Sequence, residues 1–276
     1  MENTVKNGES PGTPVARFAD ELRAWRQRHG WSQAELGDKL GYSGSHVSSV
    51  QTMTRPPTAD FARACDNVFG TPGSFERLHE DITKAAYPPW FSPFVHFESK
   101  AVRIHCWDNR NVTGLLQTED YARSIIGAGN PDMSDDEIER DVAARMERQQ
   151  IMRRELPPYC WYVIHEAALR TVFGGKAVMR DQMGGLLDAA RSPRVVVQVF
   201  PSGVPNCPGV DGAVTIFDFK GEPSVGYAEG YRAGRTIEAP SEVASLVLMF
   251  DHLRALALSP ADSQIMITAI RGEYDE

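Results

Sequence analysis

Apolar positions in the first part of the chain recur with the period of an α-helix. Phe18, Leu22 and Trp25 fall at i, i+4 and i+7, which predicts a helix from about Val15 to His29, ended by Gly30. Ser32 and Glu35 then form a capping box ahead of Leu36 and Leu40. Gly37 sits inside that second helix, where glycine costs roughly 1 kcal/mol against alanine, and a close crossing by the next helix accounts for it. Gly41 closes the second helix and Ser43 caps a third. Val47 and Val50 point inward there, leaving Gly44, Ser45, His46, Ser48 and Ser49 on the outer face. Pro56 and Pro57 stop further helix. Thr58 caps a fourth with Phe61, Cys65, Val68 and Phe69 inward, Gly70 ends it, and a fifth runs from about Ser74 to Ala86.

Beyond YPPWFSPF (Tyr87 to Phe94), a proline-broken link too apolar to be free and read as packing between domains, the period changes. Val102 to Trp107, Tyr159 to Ile164, Val195 to Phe200, Val214 to Phe219 and Val225 to Glu229 are short and rich in Val, Ile, Tyr and Phe, as strands are. Glu119 to Ile126, Asp135 to Arg154, Glu166 to Phe173, Lys176 to Ala190 and Ser241 to Leu258 read as helices, with a last one from Ser259 or Asp262 to Ile270. The predicted fold class is an all-α helix-turn-helix domain followed by a larger α+β domain. The expected boundaries are a disordered tail over 1–14, rich in Gly, Pro, Ser and Thr, a DNA-binding domain over 15–86, and a regulatory and dimerisation domain over 87–276.

Composition narrows the picture. At 276 residues the chain exceeds the usual single domain. No window approaches 18 consecutive apolar residues and the start has no apolar signal core, so the expectation is a cytoplasmic protein without membrane contact. Cys65, Cys106, Cys160 and Cys207 are widely spaced, form no CxxC pair, and fit reduced thiols. Net charge is −8. From Ser10 to Gly70, however, seven Lys/Arg face six Asp/Glu, so the acidity lies downstream and non-specific DNA affinity is expected to be modest and salt-dependent.

Trp31 to Pro57 reads as two short helices joined by a tight turn, the geometry that presents one helix to the major groove of DNA. The order of helix, capped helix, Gly turn, helix and Pro-terminated loop resembles the XRE (lambda-repressor-like) helix-turn-helix family. That resemblance implies that Gln33 holds a phosphate and that Gly44, Ser45, His46 and Ser49, beginning at Ser43, face base edges. It also implies that Arg55 reaches a phosphate from the following loop. The chain departs from the family at Gln51, where Glu is usual, and at Met53 and Thr54, where Gly and a basic residue are usual. Met53 either extends the third helix or strains its end. The reading helix has no Arg or Lys, and so lacks the commonest guanine contact. A helical bundle used for protein contacts is the plainer alternative.

A second resemblance rests on VTGLLQTEDYARSI (Val112 to Ile125), RMERQQIM (Arg145 to Met152), HEAALR (His165 to Arg170), GGKAVMRDQMGGLL (Gly174 to Leu187), VVVQVFP (Val195 to Pro201) and LALSPADS (Leu256 to Ser263). These strings resemble the actinobacterial regulators in which an XRE helix-turn-helix precedes a conserved domain of unknown function. The WhiJ-like and antitoxin-like regulators of Streptomyces are examples. The resemblance covers about Phe18 to Ile270; Thr113 stands where proline is usual. It implies transcriptional control, often with a small acidic partner protein, and no catalytic residues.

The sequence carries little that points to an enzyme. His165-Glu166 lacks the second histidine of HExxH, since Leu169 stands there. His105 and Cys106 are strand neighbours and point to opposite faces. No Gly-rich phosphate loop follows a strand. No catalytic residue, metal or cofactor is expected. Tyr227, Glu229, Tyr231 and Arg232 form a polar-aromatic group, read either as a half-buried strand edge or as a ligand or partner contact. The functional expectation is a sequence-specific DNA-binding regulator, a homodimer bound to double-stranded DNA. The alternatives are an antitoxin-like module that titrates a small acidic partner, and a small-molecule sensor.

Overall fold

Thr13 starts the first helix: its hydroxyl accepts the Ala16 N–H at 3.2 Å, with Pro14 in the first turn. The computed structural model describes residues 13–85 and 87–275. The tail expected over 1–14 is therefore corrected at Thr13 and Pro14, and its residues 1–12 lie outside the described residues. Contacts divide the chain into two units, Met1–Pro88 and Pro89–Glu276.

Among its described residues the first unit holds five helices: α1 (Pro14–Arg28), α2 (Gln33–Leu40), α3 (Gly44–Gln51), α4 (Ala59–Phe69) and α5 (Ser74–Ala85). Ala86, the expected end of α5, is outside the described residues. Their core is one cluster of Phe18, Leu22, Leu36, Val47, Val50, Phe61, Cys65 and Phe75, with Trp25 and Val68 at its rim. Asp66, a buried carboxylate on α4, accepts the Phe75 and Glu76 N–H groups at 3.1 and 2.9 Å and the Thr71 hydroxyl. It thereby caps α5 from within the core.

The second unit is a mixed sheet with helices. Its helices are α6 (Ser92–Lys100), α7 (Glu119–Gly129), α8 (Asp135–Arg148), α9 (Glu166–Arg170), α10 (Lys176–Ala189), α11 (Pro240–Leu256) and α12 (Pro260–Glu273). Its strands are β1 (Arg103–Asp108), β2 (Tyr159–His165), β3 (Val195–Phe200), β4 (Val214–Asp218), β5 (Val225–Gly230) and β6 (Ala233–Ile237), in the order β3-β2-β1-β4-β5-β6. β1, β2 and β3 are parallel, while β4, β5 and β6 add antiparallel. On one face Trp107, Val163, Phe200 and Ile216 pack against Phe250 and Leu253 of α11. On the other, Phe94 of α6 meets Phe217 and Tyr227 edge to face at 5.2 and 5.1 Å.

Three sequence expectations are corrected. The aromatic segment after Tyr87 is not merely a link, because Ser92 onward forms α6 and packs on the second unit's own sheet. Asp135 to Arg154 is not one helix: α8 ends at Arg148, and a 3-10 turn, Gln149–Arg153, follows. The helix expected over Glu166 to Phe173 stops at Arg170.

The GLLQT motif is a polar strut. Its 3-10 turn, Gly114–Leu116, has backbone groups that the surroundings must satisfy. Gln149 Nε2 donates to the Gly114 and Gln117 carbonyls at 2.9 and 2.7 Å, and Gln117 Nε2 donates to the Val112 carbonyl at 2.6 Å. The buried Gln182 donates to the Leu116 carbonyl and accepts the Thr118 N–H, both at 2.8 Å. Beneath it the buried Arg148 holds Glu98 of α6 through two bonds of 2.7 and 3.1 Å.

Asp108 ends β1, where its carboxylate accepts the Arg110 and Asn111 N–H groups. Burial pushes its pKa up to about 7 from an ordinary 3.8, against those hydrogen bonds. Between about pH 4 and 7 the folded chain thus holds a proton that the unfolded chain has lost. From this group, stability is greatest below pH 4, falls as pH rises to about 7, and is flat above. Asp108→Asn keeps an acceptor for both N–H groups without the charge. The variant is expected to lose that slope and to unfold at higher temperature than the parent at pH 8. Thermal unfolding at pH 5, 6.5 and 8 checks this; parallel pH profiles would show that Asp108 is not responsible.

Candidate nucleic-acid interface

The pair α2–α3 is held rigidly. Ser32 and Glu35 close the expected capping box, with the Ser32 N–H donating to Glu35 at 2.7 Å and the Glu35 N–H to the Ser32 hydroxyl at 3.2 Å. The backbone hydrogen bond from Ser32 holds the Glu35 carboxyl below the usual range. Ser43 caps α3 through the His46 N–H at 3.2 Å. Gly37 takes the close crossing: a Cβ there would lie 2.7 Å from the Tyr42 carbonyl oxygen and 2.9 Å from the Gly44 nitrogen. Arg23 of α1 donates to the Gln51 carbonyl at 2.8 Å, fixing the far end of α3.

The exit of α3 settles the two readings of Met53. The helix is not extended. Thr52 is its cap, the Met53 N–H donates to the Val50 carbonyl at 3.2 Å, and the Thr54 N–H donates to the Ser49 carbonyl at 3.0 Å. This is the double bond pattern that favours glycine at the left-handed position, and Met53 occupies that position with φ 61°. Met53→Gly is expected to raise the stability of the first unit by roughly 0.5–1 kcal/mol, because the left-handed penalty of ~1–2 kcal/mol exceeds glycine's added chain entropy. Urea unfolding of the two full chains compares them, and equal stability would remove the strain argument.

The outward side of α3 differs in part from the sequence reading. Ser45 is exposed, with Ser48 and Ser49 half-buried on the same side and Thr52 exposed beyond them. The Ser49 hydroxyl donates to the Ser45 carbonyl and that of Thr52 to the Ser48 carbonyl, both at 2.9 Å. Two residues read as outward are turned inward, which corrects the face. Gly44 abuts α2, where a Cβ would lie 2.9 Å from the Ala34 Cα. His46 packs its ring on Tyr42 and Phe61 at 4.7 and 5.3 Å, with its Nε2 buried and bonded to nothing among the described residues. Burial first, then the Arg55 charge, lowers its pKa, so it is neutral near pH 7. Thr52 was missed, and the 3.6 period starting from Ser45 and Ser48 points to it.

Gln33 opens α2 and donates through Nε2 to Gln51 Oε1 at 3.0 Å. An amide has two N–H donors, so one remains to donate elsewhere. Among the basic residues of this region, Arg17, Arg23 and Arg63 are in ion pairs, Arg26 donates to the Trp31 carbonyl, and Arg28 and Lys39 lie over Trp25 and Trp31. Arg55 is exposed, and no described carboxylate pairs with it.

The polar-aromatic group of the second unit is split in two, Tyr227 and Glu229 lying inward and the Arg232 guanidinium lying 5.8 Å over the Tyr231 ring at the tip. Tyr227 is buried and donates to the Trp90 carbonyl at 2.6 Å. Burial raises the pKa of Glu229, against the charges of Arg148, Arg145 and Arg110. Tyr231 stands 88% exposed at the β5–β6 tip, beside Arg232 with φ 48°. His165 caps α9 through the Ala167 N–H at 3.0 Å, and Glu166 accepts the Ser202 N–H at 3.0 Å and Arg170 at 2.7 Å. Both are thus occupied in local structure. No group of His, Cys, Asp or Glu among the described residues is arranged to hold a metal. No helix among them is long and apolar enough to cross a membrane.

Five capped helices with a close-crossed α2–α3 pair define a helix-turn-helix domain, the class that suggests DNA binding and regulation. Residues 17–78 match the family described as helix-turn-helix domain. The chain belongs to the family described as domain of unknown function (DUF5753), whose model matches residues 91–269. No match was found among curated proteins or among solved structures.

Proposed function

We propose that this chain is a sequence-specific DNA-binding transcriptional regulator. It acts in the cytoplasm as a homodimer without enzymatic activity, and its second unit receives a signal from a partner protein or ligand. The carrying observation is the outer face of α3, where small hydroxyl side chains lie on a locked helix and end at the exposed Arg55, which pairs with no described carboxylate. Within the helix-turn-helix class, the XRE resemblance and that to the WhiJ-like and antitoxin-like regulators of actinobacteria favour this reading. Ser45, Ser48, Ser49 and Thr52 meet base edges, while Gln33 and Arg55 position the helix on phosphates. Such a face discriminates weakly, so two tethered copies and an operator with two half-sites supply the affinity.

Footprinting at low salt on the chain's own promoter region tests the reading, and binding without sequence preference sinks it. Arg55→Ala is expected to weaken binding about equally for all sequences and to reduce the salt slope by about one. A second reading, an antitoxin-like module that titrates a small acidic partner, is favoured by the lack of Lys or Arg on α3. It expects partner capture to persist when Gln33 and Arg55 are both changed to Ala.

A further inference from the structure

The acidity of the chain does not reach one edge of the second unit. β1, β2 and β3 are parallel and begin at the same edge, so the three segments that lead into them lie side by side. Main-chain bonds join them: the Tyr159 N–H donates to the Val102 carbonyl at 2.9 Å and the Cys160 N–H to that of Arg194 at 2.8 Å. These segments carry Lys100, Arg103, Arg153, Arg154, Arg191 and Arg194, all exposed, against Glu155 and the neighbouring Asp188 and Asp218. Asp218 is spent on Arg103 at 3.2 Å and Asp188 on Arg191 at 3.1 Å. Lys100, Arg153, Arg154 and Arg194 pair with no described carboxylate. Arg154 and Arg194 are each anchored by one bond, to the Ser99 carbonyl at 2.7 Å and the Pro157 carbonyl at 3.1 Å. A guanidinium has five N–H donors, so most of theirs stay outward.

We propose that this edge holds the phosphate backbone of duplex DNA, so that the second unit adds sequence-independent contacts of its own. The inference rests on the DNA-binding reading and deepens it. That reading leaves affinity to be found, because α3 carries no Lys or Arg and phosphate contacts supply most of the strength of such complexes. Five of the six cations at the edge are arginine, whose planar fork matches phosphate oxygens better than an ammonium does. In a chain of net charge −8, a local surplus of positive charge is where a polyanion can approach. The edge offers charge and little else. Its exposed large apolar side chains are Leu156 and Val102, flanked by cations, and they fall far short of the apolar patch that a protein interface or a membrane anchor needs.

Titration of the full chain against the footprinted promoter fragment and against an unrelated duplex, over a range of salt, tests this. Lys100→Ala combined with Arg153→Ala removes two exposed cations whose side chains make no described hydrogen bond. The double variant is expected to lower the salt slope by about two and to weaken both duplexes alike, roughly tenfold or more at about 0.1 M salt. Its circular dichroism stays unchanged. Lys100→Arg with Arg153→Lys keeps the slope, and so does Lys176→Ala, an exposed cation at the opposite end of α10 from Arg191. An unchanged slope in the double Ala variant, with preference for the promoter fragment intact, overturns the inference and leaves the DNA reading standing. A slope lowered by two on duplexes bound without preference sustains the edge and removes the sequence-specific reading. A wild-type chain that binds neither duplex overturns both. A variant that keeps its slope on DNA but loses binding to poly-L-glutamate or to phosphatidylglycerol vesicles assigns the edge to an acidic protein or a membrane, and the inference falls.

Discussion

Glu98→Ala is expected to cost the second unit about 3–5 kcal/mol, the range for breaking a buried ion pair by removing one partner. Glu98 and Arg148 are both nearly fully buried, with side chains 3% and 7% exposed, and are joined bidentately. Arg148 also lies over the rings of Phe91 and Phe94 at 5.1 and 5.4 Å, so it cannot swing out to water without leaving that packing. Removing the carboxylate leaves the buried guanidinium without its bidentate acceptor. Glu98→Gln keeps the shape and an acceptor and is expected to cost less. The paired change Glu98→Leu with Arg148→Met is expected to recover most of the loss, since apolar residues of similar volume replace such pairs at little cost. Urea unfolding of the four chains, analysed as a double-mutant cycle, separates the terms. A Glu98→Ala chain within 1 kcal/mol of wild type would mean that the pair is solvated in solution.

The first unit was legible because its signals are local. Ser32 with Glu35, Ser43, Thr58 and Gly70 each mark a helix end within a few residues, and the structure uses each one so. α6 was not legible: Pro88, Pro89 and Pro93 read as breakers, yet a proline in the first turn of a helix is tolerated. β6 was missed because an edge strand, Ala233–Ile237, carries a central Arg and little apolar alternation. The polar struts were invisible for a different reason. Glu98 and Arg148, or Gln182 and Leu116, meet only through the fold, and nothing in either segment names the other. The outward side of α3 was partly legible. Polarity put His46 outside, but a neutral imidazole stacks well on Phe61, and Gly44 is needed where α3 touches Ala34.

Gly37→Ala is expected to cost the first unit about 2 kcal/mol and to lower DNA affinity more than tenfold. Two effects oppose each other. Alanine inside a helix gains roughly 1 kcal/mol over glycine by propensity. Against this, the new Cβ would stand within 3 Å of the Tyr42 oxygen, the Ser43 carbonyl carbon and the Gly44 nitrogen, all of them backbone. Overpacking costs ~1–3 kcal/mol even where side chains can yield, and here the turn itself must move. That turn carries the Ser43 cap and sets the start of α3, so relief of the clash displaces α3 from the frame set by Arg23 and Gln33. On the proposed reading, DNA binding therefore suffers beyond the fraction unfolded, unlike with Arg55→Ala, which takes one proposed phosphate contact from an intact domain. Hydrogen exchange over residues 32–55 locates the loosening, and a binding titration at fixed salt reads the affinity. If Gly37→Ala is instead more stable than wild type, propensity has prevailed, and the close crossing is not what requires glycine there.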